Sequence, residues 1–144
     1  AADHPLAGQA QVSAAELADH PMILLDLPLS ADYFLSLFTL QGVKPQIAER
    51  TRDMAVMQSL VGQGFGYSIA NIRPWSDRAP DGRPLRYVPL TGSVRPMRLG
   101  ILLARGAMSS LTVAAFVSHC QTCLTPENVQ GLRHSPEGGS FGTA

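Results

Sequence analysis

The stretch "MILLD", residues 22–26, is the strongest constraint on how this chain can fold. Four apolar residues run without alternation and end on an aspartate. A run this short and unbroken predicts a strand covered on both faces, not one with a wet side. The flanking sequence supplies the covers. Upstream, "VSAAELADHP" carries Ser13 and Glu16 at the spacing of a capping box, which predicts a short helix stopped by Pro21. Downstream, Ser30 and Asp32 open a helix that runs to about Leu40. Tyr33, Phe34, Leu37, Phe38 and Leu40 fall near helical spacing, and Gly42 is the expected C-cap.

The unit then repeats. "QIAER" (46–50) reads as a second strand, and Thr51 is a plausible N-cap for the helix "RDMAVMQSLV", with Asp53 in its first turn. Met54, Met57, Leu60 and Val61 form an apolar stripe whose plain meaning is core packing. "YSIAN" (67–71) follows as a third strand. Strand, helix, strand, helix, strand with connections of this length implies right-handed crossovers and a parallel sheet, hence an α/β fold.

Between the second helix and the third strand stands "LVGQGFG", with Gly62, Gly64 and Gly66 at alternate positions. A phosphate-cradling loop needs a strand before the glycines and a helix after them. Here the order is reversed, so the helix offers its C-terminus, the partially negative end. The expected role is a helix C-cap and tight turn, with Gly62 or Gly64 at positive φ and Gly66 letting the strand start pack close under the helix.

Residues 73–84, "RPWSDRAPDGRP", are rich in turn formers and read as irregular. "LRYVPL" (85–90) and "MRLGILLAR" (97–105) read as further strands. Ser109 or Ser110 caps a last helix, "LTVAAFVSHCQT". The polar tail beyond it reads as flexible.

Composition excludes several function classes. The 144 residues are 45% apolar and 15% charged with zero formal net charge, so the chain is globular and lacks a basic patch for holding nucleic acid by itself. No apolar run approaches the ~18 residues of a membrane span. In "SHCQTC", Cys120 and Cys123 stand near His119, but no second Cys/His pair is spaced to close a zinc site. A redox Cys-x-x-Cys opens a helix, whereas this pair closes one, which favours two reduced thiols. His4, His20, His119 and His134 are scattered, and no Ser-His-Asp order or paired carboxylates stand out. No catalytic residue, metal ligand or cofactor is therefore assigned. The start at Ala1 without Met is expected of a processed, trimmed or excised chain.

Taken in order, "HPLA" (4–7), "VSAAELADHPMILLD" (12–26), "GVKPQIAERTRDMAVMQSLVGQGFGYSIAN" (42–71), "LRYVPL" and "LGILLARGAMSSLTVAAFVSHC" resemble the second half of the effector-binding domain of LysR-type transcriptional regulators. The resemblance runs from about His4 to Gln121, and the helix with its glycine turn is its most specific part. "NIRP" (71–74) stands where that family often has a Leu-Pro strand end.

The resemblance implies a type 2 periplasmic-binding-like fold. It predicts one lobe over about 8–95, built as a βαβαβ parallel sheet with flanking helices. The returning strand and helix of the other lobe fall at about 96–122, making a partial effector domain of 1–122, and 123–144 form a flexible tail. The winged helix-turn-helix, the linker helix and the first lobe of a full regulator have no counterpart here, so DNA contact is expected only through an absent N-terminal domain. In such folds a small molecule sits at the carboxyl ends of the strands. Those ends place Leu27, Pro28, Leu29 and Ser30 on one wall, Arg50 and Thr51 on a second, and Ala70 and Asn71 on a third. Arg50 is the expected anchor for a small anionic effector such as a carboxylate. Ser30 and Thr51 also have a plainer role as helix N-caps. Self-association is expected through about 31–50 or through the strand 97–105. The resemblance implies a cytoplasmic protein. Two other readings share the fold: a solute-binding transport component, which needs an export signal or lipid anchor upstream, and an inactive truncated regulator fragment.

Overall fold

The computed structural model describes residues 1–71, 73–74, 76–92, 100–125 and 128. Two compact units emerge: Ala1–Ala70 with Ser76–Arg95, and Asn71–Trp75 with Pro96–Ala144.

In the first unit the chain forms β1 (Val12–Ser13), α1 (Ala14–Ala18), β2 (Pro21–Leu25), α2 (Ser30–Thr39), β3 (Gln46–Thr51), α3 (Met54–Gly62) and β4 (Leu90–Thr91). The capping box is present in full. Ser13 Oγ accepts the Glu16 N–H at 3.2 Å, and the Glu16 carboxylate accepts the Ser13 N–H at 2.8 Å. The Ser13 N–H, and then the Ser13 hydroxyl donating to Glu16 Oε2 at 2.7 Å, hold the Glu16 carboxyl below its usual range.

β2 is the centre of the sheet. It pairs in parallel with β3 from Pro21↔Gln46 to Leu25↔Thr51, with one register shift between Met22 and Ile23. Met22 also bridges Tyr67 in parallel, fixed by Tyr67 N–H to Pro21 O at 3.0 Å and Ile23 N–H to Tyr67 O at 2.7 Å. The expected βαβαβ order is thus present, but its third strand is a single bridge among the described residues. The unbroken apolar run divides as a doubly covered strand must. Met22 and Leu24 face a cluster with Leu17, Phe34, Leu37 and Phe38, while Ile23 and Leu25 face Met57 with Leu60 and Val61 beside it. One face of the sheet carries α1 and α2, and the other carries α3.

Both long helices of this unit end as their glycines suggest. Gly42 (φ +71) and Gly64 (φ +86) adopt the left-handed conformation, and the amides after them close back: Val43 N–H to Phe38 O at 3.1 Å, and Phe65 N–H to Leu60 O at 3.2 Å. Gly66 plays a different role from the one expected. It does not sit under α3 but against β2, where a Cβ would overlap the Pro21 carbonyl oxygen. Gly62 is helical, and a Cβ there would meet Arg83 Cβ at 3.1 Å and Ala79 Cβ at 3.2 Å. The described residues of 73–84 are irregular as expected, yet 76–84 close on themselves through an antiparallel Arg78↔Pro84 bridge and pack Ala79 into the interior.

Two helix starts differ from expectation. The N-cap of α2 is Leu29, because Ser30 already occupies the first helical position and its hydroxyl is one residue too late to cap. The N-cap of α3 is Asp53, whose Oδ1 accepts from Ala55 N–H at 2.7 Å and Val56 N–H at 3.2 Å. Thr51 is the last residue of β3, and its Oγ1 accepts the Asp53 N–H at 3.1 Å.

The later strands are also corrected. Of 85–90 only Leu90 is in a strand, and β4 pairs in parallel with β1 over two residues. Pro89 cannot donate to a ladder, which confines pairing to its carbonyl, the acceptor of Val12 N–H at 2.9 Å. Gln41 ties this small sheet to α1, accepting from Ala15 N–H at 3.1 Å and donating to Thr91 O at 3.4 Å.

In the second unit, residues 97–99 lie outside the described part, and 100–104 form no regular element. An extended segment becomes a strand only with a hydrogen-bonding neighbour, and none stands beside it among the described residues. A 3₁₀ turn at Ala107–Ser109 leads into α4 (Leu111–Cys123), capped at Ser110 as expected, though without a side-chain bond. The proposed tail begins one residue inside this helix. Residues 126, 127 and 129–144 lie outside the described part.

Candidate functional site

The carboxyl ends of β2 and β3 lie side by side because the strands are parallel and in register. Asp26, the residue after β2, donates its N–H to Thr51 O at 2.8 Å and thereby ties the two ends together. Its carboxylate meets the guanidinium of Arg50, with Asp26 Oδ2 3.4 Å from Arg50 Nη1. The two side chains keep 36% and 51% of their exposure. A pair this open contributes at most about 1 kcal/mol to stability, so a third charged group can enter it at little cost.

Beyond Asp26 the chain turns sharply. Leu29 has φ +67 and is the only non-glycine residue at positive φ among the described residues. Leucine pays about 1–2 kcal/mol for that conformation. The turn is held by Ala31 N–H to Leu27 O at 3.1 Å and Tyr33 N–H to Leu29 O at 3.3 Å. Leu27, Pro28 and Leu29 are exposed, with Leu29 at 87%, and Ser30 is half-buried. No side chain caps α2, so the positive end of its dipole faces out at this corner.

The predicted site residues therefore separate into groups. Arg50, Thr51 and the Leu27–Ser30 corner stand at neighbouring strand ends. Thr51 is half-buried, and its hydroxyl accepts from Asp53 while its own O–H can still donate. Ala70 is exposed three residues past the Tyr67 bridge, in the same unit. Asn71 is exposed and opens the second unit.

Sequence reasoning missed Asp26 as the partner of Arg50. The signal was present. Two adjacent parallel strands end in opposite charges, Asp after "MILL" and Arg after "QIAE", and only the register was needed to pair them. It also treated His4 and His20 as scattered, whereas their rings meet edge to face with centroids 4.8 Å apart. His4 Nδ1 accepts the Leu6 N–H at 3.2 Å, and burial, then the charge of His20, lowers its pKa. That contact organises the N-terminal loop and lies apart in sequence from the strand ends.

Comparison with solved structures found LysR-family proteins. The PA01 protein of Pseudomonas aeruginosa, described as a LysR family transcriptional regulator, superposes with TM-score 0.74 at 37% identity over 86% of this chain and 44% of its own. HinK, a LysR family transcriptional regulator from the same organism, gives TM-score 0.71 at 32% identity over 90% of this chain and 43% of its own. The C-terminal domain of a Rhodococcus sp. RHA1 protein described as a LysR family transcriptional regulator gives TM-score 0.65 at 31% identity, covering 81% of this chain and 60% of that one. This chain thus spans less than two thirds of each of these structures. A comparison with curated proteins found no match. Among the described residues, no helix is long and apolar enough to cross a membrane. The parallel α/β arrangement is that of one lobe of a type 2 periplasmic-binding-like fold. Residues 1–124 match the family model of the LysR substrate binding domain, and the chain belongs to that family.

Proposed function

We propose that this chain is the effector-sensing part of a LysR-type transcriptional regulator and holds a small anionic molecule, a carboxylate, at the carboxyl ends of β2 and β3. The observation that carries this reading is the pairing of Arg50 at the end of β3 with Asp26, which stands four residues before the uncapped α2 at the end of the adjacent parallel strand. A carboxylate there replaces Asp26 as the acceptor of one edge of the guanidinium, and Asp26 keeps another, since Arg has five donors in a fixed fork. Ser30 and Thr51 offer hydroxyls, and Leu27, Pro28 and Leu29 offer an apolar wall.

The role is binding and not catalysis. The effector acts by preferring one arrangement of the regulator over another, since only differential affinity can shift such an equilibrium. DNA contact belongs to another domain of the regulator, and a transcriptional regulator of this kind works in the bacterial cytoplasm.

A thermal-shift screen of small carboxylates, on this chain and on the same residues within a two-lobe protein, tests the reading. A ligand at 100 times its Kd raises stability by about 2.7 kcal/mol. Arg50→Ala is expected to weaken binding about 10- to 100-fold, the worth of a hydrogen bond to a charged group. Arg83→Ala, whose partner is Asp81, is expected to leave the shift intact. No response to any carboxylate would sink the effector reading. A shift undiminished in Arg50→Ala would remove the anchor.

We further propose that the chain self-associates. The surface of α2 with β3, and the apolar segment Ile101–Leu103, are both exposed, with Leu102 at 99%. Light scattering is expected to give a mass above that of one chain, rising with concentration. A single-chain mass at every concentration would count against it.

A further inference from the structure

The last two turns of α4 carry "SHCQTC", a sequence the effector reading leaves unused. His119 and Cys123 are four residues apart, hence on one face of the helix. Cys123 Sγ lies 3.6 Å from His119 Nδ1 and 3.6 Å from His119 Nε2. His119 is exposed, Cys123 is half-buried, and both cysteines are free thiols.

A tetrahedral metal 2.3 Å from sulfur and about 2.05 Å from nitrogen sets those two ligand atoms about 3.5 Å apart. The observed 3.6 Å separations bring the sulfur within that reach of the ring. With both nitrogens equally distant, neither lone pair is yet aimed at a shared point, and a rotation of the exposed imidazole about its outer torsion is needed to turn one nitrogen toward it. Position on the helix favours a cation. This is the C-terminal end, where carbonyls give partial negative charge, and no basic side chain occupies the last turn.

We propose that His119 and Cys123 form a two-ligand site for a thiophilic divalent cation of the zinc class, with its remaining positions open to water or an added ligand. Among the described residues no three such side chains converge, so the protein supplies two ligands and the site is open. Cys120, three residues from Cys123, is not part of it. Binding takes the thiol as thiolate and releases one proton to solvent, with no change of oxidation state.

Cobalt(II) titration of the phosphine-reduced chain tests the site. A sulfur-to-cobalt charge-transfer band is expected in the near ultraviolet and is displaced by zinc(II). Cys123→Ser abolishes the band, His119→Ala weakens cobalt affinity at least tenfold, and Cys120→Ser leaves both unchanged. Since α4 buries no residue, these variants keep their helix content by circular dichroism. Absence of the band overturns the proposal. So does a band of full affinity in His119→Ala, or one lost in Cys120→Ser, which would assign the metal to the cysteine pair instead.

Discussion

Gly66→Ala is expected to destabilise the chain by about 3 kcal/mol or more, seen as a drop in the urea midpoint. Gly66 has φ +153, outside the range that side-chain-bearing residues adopt with ease. A Cβ there would overlap the carbonyl oxygen of Pro21 and stand 2.9 Å from its carbon. That contact is with backbone, so no rotamer change relieves it. The same oxygen accepts the Tyr67 N–H, so displacing it breaks the bond that joins the third chain segment to β2. Two costs therefore add: backbone strain of about 1–3 kcal/mol and the loss of bridge hydrogen bonds at about 1 kcal/mol each. Gly64→Ala separates them. Gly64 also has positive φ, but nothing lies within 4 Å of a Cβ placed on it. Its loss is expected to be only the left-handed penalty of about 1–2 kcal/mol. Equal losses at the two positions would show that conformation alone, and not the approach to Pro21, makes Gly66 necessary.

The glycine stretch also shows what a single sequence can reveal. Its role as a helix stop was legible because the signal is local: an apolar stripe, then a residue free to adopt positive φ. The same holds for the capping box at Ser13 and for the double burial of "MILL". Gly66 was harder, since its neighbour is Pro21, far away in sequence and brought close only by the parallel sheet. The two misplaced caps have a different cause. Leu27 to Asp32 and Thr51 to Asp53 each offer several starting points for a helix, and propensity does not choose among them. At α2 the chain starts on Leu29 at a φ that leucine disfavours, which no propensity would suggest. The Asp26–Arg50 pair and the His4–His20 contact required register and tertiary packing. Residues 85–89 and 100–104 read as strands because they are apolar or β-forming, but strand structure belongs to pairs and not to segments. Pro89 limits one, and the other has no ladder neighbour among the described residues.

Phe38→Ala is expected to cost about 3–5 kcal/mol, enough to threaten folding of a domain whose total stability is about 5–15 kcal/mol. Phe38 is fully buried, and it packs in the cluster that includes Met22, Leu24 and Phe34. This cluster is the contact between α2 and the central strand. Truncation removes the ring's burial and leaves a cavity between rigid neighbours, so the transfer and cavity terms add. Phe38→Leu keeps most of the volume and is expected to lose about 1.5 kcal/mol or less. Phe65→Ala is the control, because Phe65 is 58% exposed and its loss is expected to be below about 1 kcal/mol. Urea unfolding of the four proteins gives the order directly, and a similar loss for Phe38→Ala and Phe65→Ala would contradict the assigned core. The consequence reaches the site. The N-terminal end of α2 forms the Leu27–Ser30 corner, Asp26 directly follows β2, and Arg50 lies near the end of β3. Phe38 lies near the other end of that helix from the Leu27–Ser30 corner and helps fix the helix that presents it. The milder Phe38→Leu variant is therefore the useful one for binding. It should remain folded while loosening α2, and any carboxylate response of the parent protein should weaken in it without any change in the charges at Asp26 and Arg50.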